Sequence, residues 1–455
     1  MDREIAKQWH RFRSLFSQFR NEYEELDQDP YAHAHAHDNR QHLLAEDQDQ
    51  DQDRDQQADY PPFRLSSRSA STARKRKRGY HCSYVALLVV ALLFLAAMWC
   101  FSDKTTDAVE ESGGSTPDIT ITRKDPKIHV NHVPGAFVRM LGWNSQNTGS
   151  AVALPVYMDE WLTPSPSLQI TAAITRVVVH IHGQGRDAWD AWSDINDARS
   201  KAGVDNRTTL VVSPLFFNGL DKDKYSWNGV GSTGNILVWK GNGWGEGAAN
   251  QYPPSDTTVS SFEALDTFVR LFTDRARFPN LQHVVFSGHS LGGQLVHRYS
   301  VLGALRLPGG TPVRVAFVTM SPSTYLYFNA ERAGPHSDDM NEYKYGFDKL
   351  HEHLSTYRGL DGHDKAYFLQ RYLKHRHIHF VQGGDDYGTG DERPAAMAQG
   401  ANRAERANNY YHHLEEMRQS LGLQNNPWSV DWVPGVAHDS HAMTTSDAAI
   451  SKIFA

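Results

Sequence analysis

The sequence predicts a doubly wound α/β sheet over residues 119–455, on two observations. Short apolar runs recur at Arg176-Val177-Val178-Val179-His180-Ile181, Thr209-Leu210-Val211-Val212-Ser213, His283-Val284-Val285-Phe286-Ser287, Val313-Arg314-Val315-Ala316-Phe317-Val318 and Ile378-His379-Phe380-Val381-Gln382. Several are unbroken rather than alternating, the composition of strands buried on both faces, as in parallel sheets. Segments of helical spacing accompany them: Phe262, Leu265, Phe268, Val269 and Phe272 share one face over Ser260 to Phe272, and Leu295, Val296, Tyr299, Leu302 and Leu305 share another. Strands alternating with helices give crossover connections and a doubly wound sheet.

Taken in chain order, residues 1–79 are polar, charged and poor in core formers, which predicts a disordered tail. Ala32-His33-Ala34-His35-Ala36-His37 and the Gln/Asp repeat from Glu46 to Asp55 are low-complexity and bury too little apolar surface to fold. Alternating histidines bind metals weakly, and no metal role is expected of them. Within residues 3–26, Ile5, Trp9, Phe12, Phe16, Phe19 and Tyr23 recur every three or four positions, with Lys7, Arg11, Arg13 and Arg20 between them. That is a basic amphipathic helix for an anionic membrane or a partner groove, with a short fraying helix as the competing reading.

Tyr84 to Phe101 carries no charge, and with its flanks the span 80–101 reaches the roughly 20 residues that cross a bilayer. Arg74-Lys75-Arg76-Lys77-Arg78 precedes it, while Asp103 and an acidic stretch follow. Positive residues stay on the cytosolic side, so the expectation is a single-pass, type II signal-anchor with a cytosolic N-terminus. A nuclear import signal is the other reading of the basic cluster; its contact with the apolar span makes topology the simpler one. Residues 102–118 form a linker, and residues 119–455 would be lumenal or extracellular in the secretory pathway. Asn206-Arg207-Thr208 is then a glycosylation candidate. The two cysteines, Cys82 and Cys100, lie in or beside the span, so the globular part is expected to hold no disulfide. The formal net charge of −7 hides opposing blocks and gives no argument for nucleic-acid binding.

Gly288-His289-Ser290-Leu291-Gly292 follows the strand-like run at His283 and precedes the helical spacing at Leu295. A strand, a sharp turn and a helix with serine at the apex present a nucleophilic hydroxyl, and small flanking residues let the turn double back. The backbone N–H of Leu291 then faces a developing oxyanion. Such a serine needs a base and an acid to orient that base. In the chain order serine, acid, histidine, the acid should follow a later strand. Gly383-Gly384-Asp385-Asp386 does so; Asp386 is the choice on its G-x-x-D spacing, with Asp385 the alternative and Asp391 a third. Each could equally be a solvated turn aspartate. His438, in Val433-Pro434-Gly435-Val436-Ala437-His438-Asp439 ahead of a helix near Ala448 to Phe454, is the base, with His441 its rival. The strand at Arg176 runs into His182-Gly183-Gln184-Gly185, and a loop there gives a second oxyanion donor, assigned to the N–H of Gln184. No metal and no cofactor is required.

With these residues assembled, the chain from about Ile119 to Ala455 resembles the alpha/beta hydrolase superfamily, and within it little-described fungal and bacterial serine-hydrolase-like proteins. The resemblance rests on Val179-His180-Ile181-His182-Gly183-Gln184-Gly185-Arg186, Val259-Ser260-Ser261-Phe262-Glu263, Phe278-Pro279-Asn280-Leu281, Gly288-His289-Ser290-Leu291-Gly292-Gly293-Gln294, Ala398-Gln399-Gly400-Ala401-Asn402-Arg403 and Gly435-Val436-Ala437-His438. It implies a mostly parallel, eight-stranded-type alpha/beta-hydrolase sheet with helices on both faces, and extra strands before the His-Gly strand.

The tyrosine-rich insertion, about 321–375, contains Tyr325, Tyr327, Phe328, Tyr343, Tyr345, Phe347 and Tyr357, and a second aromatic patch holds Trp227, Trp239 and Trp244. Both are read as a cap or lid over the substrate pocket, lined by His289, Trp244, Tyr325 and Tyr327, or equally as the filling of an accessory core. His375, His377 and His379 are read as one face of a strand approach rather than a zinc site. The function expected is hydrolysis of a small-molecule or lipid-like carboxylic ester through an acyl-enzyme, with amide and thioester substrates open. A catalytically silent binding or scaffold protein of the same fold is the alternative, and a trafficking adaptor working through the basic helix a third reading. Oligomeric state does not follow from the sequence.

Overall fold

Three antiparallel strands come first, β1 Thr120–Arg123, β2 Ala136–Asn144 and β3 Ala151–Asp159, followed by a short helix α1 Leu168–Ala172. They occupy the stretch ahead of the His-Gly strand where extra strands were expected. In this computed structural model the described residues are 119–455 apart from 126, 222, 226–233, 255–257, 308–312 and 427. The tail 1–79 with its 3–26 helix, the 80–101 span with Cys82 and Cys100, the 102–118 linker and Trp227 lie outside the described residues. Among the described residues, no helix is long and apolar enough to cross a membrane.

The crossover units then begin with β4 Arg176–Ile181, α2 Ala188–Lys201 and β5 Thr209–Pro214. Short strands β6 Phe217–Asn218, β7 Val238–Trp239 and β8 Asn250–Tyr252 pair in a separate small sheet. Helix α3 Ser261–Thr273, strand β9 His283–His289, helix α4 Leu291–Leu302 and strand β10 Arg314–Met320 follow. The tyrosine-rich insertion carries α5 Leu350–His353 and α6 Lys365–His375 before β11 His377–Gly383. The chain closes through α7 Pro394–Met397, α8 Arg403–Ser420, β12 Trp428–Val433, α9 Ser440–Thr444 and α10 Asp447–Ile453.

The main sheet has nine strands in the order β1-β2-β3-β5-β4-β9-β10-β11-β12. From β5 through β4 to β12 the pairings are parallel, and β3 joins β5 antiparallel. The reversal of strand order at β4 and β5 places helices on both faces, and the strands explain why. Val177, Val179 and Ile181 of β4 pack with Phe262 and Leu265 of α3 and Leu295 and Tyr299 of α4. Val178 points into the opposite core with Trp192 and Ile195 of α2 and Ala449 and Ile453 of α10. Both faces of one strand are dry, so its sequence cannot alternate.

Helix α3 starts where Ser260 accepts the Phe262 N–H, a side-chain cap for one of the unpaired amides of a helix N-terminus. Two helical expectations need correction. Helix α4 ends at Leu302 and is buried on every side, so it has no single apolar face; Leu305 lies beyond it at a left-handed φ of 44°. It is enclosed by the sheet on one side and by α3 and α6 on others, which leaves it no solvated stripe. His375 closes α6 rather than sharing a strand face with His377 and His379. Of that trio, His379 is partnered with Ser429 Oγ at 2.8 Å, and no metal-type cluster occurs among the described residues.

Candidate active site

Strand β9 ends at His289 and helix α4 begins at Leu291, so one residue makes the whole turn between them. That residue, Ser290, sits at φ 57° and ψ −120°, a conformation side chains rarely adopt. The turn is fixed from behind: the Ser290 N–H donates to Met320 O of the neighbouring strand at 3.0 Å. Gly292 shows why the spacing is needed. A Cβ there would lie 2.3 Å from Ile181 O and 2.4 Å from His182 O, both backbone atoms of the β4 exit. Gly292→Ala is therefore expected to push α4 away from β4, by analogy with overpacked cores a loss of about 1–3 kcal/mol or more. Thermal unfolding would read this as a lowered midpoint, and an unchanged midpoint would contradict the close approach.

Three elements converge on the serine. His438, on the loop between β12 and α9, places Nε2 2.8 Å from Ser290 Oγ. Its Nδ1 lies 2.8 Å from Asp386 Oδ2. Asp386 is 1 % exposed on the turn after β11. The two loops are stitched together by backbone bonds from Gly384 N to Val433 O, 2.8 Å, and from Asp385 N to Val436 O, 3.0 Å. The rivals are elsewhere. Asp385 points to solvent, Asp391 is committed to Arg393, Tyr345 and Lys344, and His441 pairs with Asp194 of α2.

On the other side of the serine, the β4 exit loop is held by its own turn. Arg186 sits at φ 56°; its N–H donates to Gly183 O at 3.2 Å and its Nη1 to Gln184 O at 2.6 Å. Arg186 Nε also pairs with buried Asp221 at 2.8 Å, which anchors the loop to the segment after β6. A Cβ on Gly183 would come within 3.8 Å of Ser290 Cβ, so Gln184 follows directly beside the serine. Leu291 is the first residue of α4, where the amides have no intrahelical acceptor.

His289 is 5 % exposed and its ring centroid lies 4.4 Å from that of His438. Burial, then the charges of His438 and Arg403, hold it well below the usual histidine range. A neutral neighbour packs against the His438 ring without competing for its proton. Trp244, Tyr325 and Tyr327, named as pocket residues, are all buried and packed against other rings. Trp244 is fully buried, edge-on to His182 at 4.6 Å and stacked on Phe216 at 5.4 Å, behind the β4 exit loop. Tyr325 stacks on Tyr410 of α8 at 4.5 Å, and Tyr327 packs on His413 at 4.6 Å. The insertion thus packs as an accessory core; Tyr357, for example, donates to Asp266 Oδ2 of α3 at 2.8 Å.

Residues that sequence reasoning passed over brace this arrangement. Buried His182, His297 and His413 each use Nε2 to accept a backbone N–H, from Phe216 at 3.1 Å, Leu326 at 3.0 Å and Phe328 at 3.1 Å. Burial lowers all three: His182 to about 4, His413 to about 3 with Arg332 adding to it, and His297 well below 6.5 with Arg298 adding to it. The unfolded chain therefore takes up protons first on acidification. Their contribution to stability is complete above about pH 6.5 and is lost as pH falls from there toward 4 to 3. The thermal midpoint is expected to fall over that window, and less steeply in His413→Gln, whose amide oxygen still accepts. A midpoint flat from pH 7 to 4 would contradict this.

No family model and no curated protein matches the chain. Solved structures similar to it include a poly(3-hydroxybutyrate) depolymerase from Bordetella parapertussis, 22 % identical, covering 70 % of this chain and 90 % of that one at a TM-score of 0.45. A poly(aspartic acid) hydrolase-1 from Sphingomonas sp. KT-1 is 19 % identical, covering 71 % and 100 %, at 0.46. An S-formylglutathione hydrolase from Agrobacterium tumefaciens is 14 % identical, covering 71 % and 98 %, at 0.38. The fold is alpha/beta-hydrolase-like. At such identities and scores the likeness carries nothing about substrate, and the architecture rests on this chain's own strand order and serine turn.

Proposed function

We propose that this alpha/beta-hydrolase-like chain is a serine hydrolase of carboxylic esters. One observation carries the reading: an unbroken hydrogen-bonded series from Ser290 Oγ through the His438 imidazole to the Asp386 carboxylate, with the serine at a strained strand-to-helix turn. Ser290 Oγ attacks the ester carbonyl as His438 Nε2 takes its proton. Asp386 holds the Nδ1–H tautomer and stabilises the imidazolium, and the Gln184 and Leu291 amides receive the oxyanion. His438 returns the proton to the departing alkoxide, leaving an acyl-serine; a water then attacks with His438 again as base and releases the acid. The substrate is a small-molecule or lipid-like ester.

The test is turnover of p-nitrophenyl esters of graded chain length by the full-length chain. A pre-steady-state burst of nitrophenolate, one per Ser290, is expected. Absence of turnover across the whole series would overturn the reading.

The uncharged run Tyr84 to Phe101 after Arg74–Arg78 supports membrane anchoring with residues 119–455 on the lumenal or extracellular side. Asn206 is exposed on a turn. On expression in a secretory cell the chain is expected to lose apparent mass on endoglycosidase treatment, and Asn206→Gln to remove that shift. An endoglycosidase-insensitive chain that resists extraction only by salt would contradict the orientation.

A further inference from the structure

Asp386 is almost fully buried and gives one carboxylate oxygen to His438. Its other oxygen, Oδ1, lies 3.4 Å from Nη1 of Arg403, the first residue of α8. Arg403 is itself buried, and its Nε donates to Ser323 Oγ at 3.0 Å, on the segment leaving β10. The backbone repeats the grip: Arg403 N donates to Gly388 O at 3.0 Å, and Ala404 N to Asp386 O at 3.1 Å. The turn is shaped around the guanidinium. A Cβ at Gly388 would lie 2.6 Å from Nη1, and one at Gly390 2.8 Å from Nε. A buried carboxylate that had only a histidine would be free to rotate about its own side chain; this one is clamped from behind by a planar cation.

From this geometry, and resting on the hydrolase reading above, we infer that Arg403 is a positioning residue of the reaction: bridging Asp386 Oδ1 and Ser323 Oγ, it fixes the carboxylate that orients His438. It acts through Asp386 rather than on the substrate. Its removal should therefore lower kcat and spare KM.

The experiment uses the full-length chain with p-nitrophenyl acetate and compares wild type, Arg403→Met, Arg403→Lys and Gly388→Ala. Thermal midpoints are measured alongside. Arg403→Met is expected to lose roughly 100-fold in kcat, the scale of a misplaced catalytic group, with KM within about twofold. Arg403→Lys or added methylguanidine should restore part of the rate. Gly388→Ala keeps the cation but displaces it, so its kcat should fall too; if Arg403→Met does not fold, this variant decides by the same kcat and KM readouts. Unchanged kcat in the folded variants overturns the inference. So does a fall in kcat that neither Arg403→Lys nor methylguanidine rescues, because that is what general loosening would give. An inert wild type would instead sink the hydrolase reading, and this inference with it.

Discussion

Ser290→Ala is expected to lower kcat for ester hydrolysis by about 10⁶-fold while leaving the fold and thermal midpoint nearly unchanged. The serine hydroxyl is half-buried at the surface of the turn, and its bond to His438 Nε2 at 2.8 Å is the only interaction of that oxygen that the mechanism uses. Alanine removes the nucleophile without creating a cavity. His438→Ala should cost about as much, since an unassisted serine hydroxyl is a poor nucleophile, and the double variant should be little worse than either single one. Steady-state kinetics on all three, with active-site titration to correct for intact enzyme, checks this. Independent, multiplying losses would mean that the two residues do not act as a unit.

Asp386→Asn carries the second large effect, about 10⁴-fold in kcat with KM little changed. An amide at that position can meet His438 Nδ1 by donating its N–H, which selects the tautomer with the proton on Nε2. That tautomer cannot accept from Ser290. Asp385→Asn is the matched control one residue away: its side chain is exposed, while His438 Nδ1 meets Asp386, so its kinetics should follow wild type. A loss in Asp385→Asn and none in Asp386→Asn would reverse the assignment.

Much of this was legible in the sequence, and the reasons are physical. Strands β4, β9 and β10 are dry on both faces, so their composition announces them. Strands β1 and β12 are partly exposed edges of the sheet, and Thr120-Ile121-Thr122-Arg123 offers no comparable apolar run. The serine turn is legible because the glycines that its close approaches demand, Gly288 and Gly292, fall within one five-residue motif, although the atoms Gly292 must clear belong to the distant β4 exit. The choice of Asp386 over Asp385 was reachable from spacing, since one step along a turn exchanges a buried direction for a solvated one. Arg403 and Gln399 were visible only as parts of the stretch Ala398 to Arg403 that carries the resemblance. Their work depends on α8 meeting the turn after β11: Gln399 donates to Tyr325 O and accepts from Tyr325 N, and Arg403 reaches Asp386. The tyrosines of the insertion left two readings open for a related reason, because an aromatic ring reads alike in a pocket wall and in a second core.

Chemical labelling locates the nucleophile. The full-length chain is treated with a fluorophosphonate, digested, and the modified residue identified by mass spectrometry. A single phosphonylated residue is expected, Ser290, with labelling abolished in Ser290→Ala and strongly slowed in His438→Ala. Label on any other residue, or equal label on the Ser290→Ala chain, would contradict it.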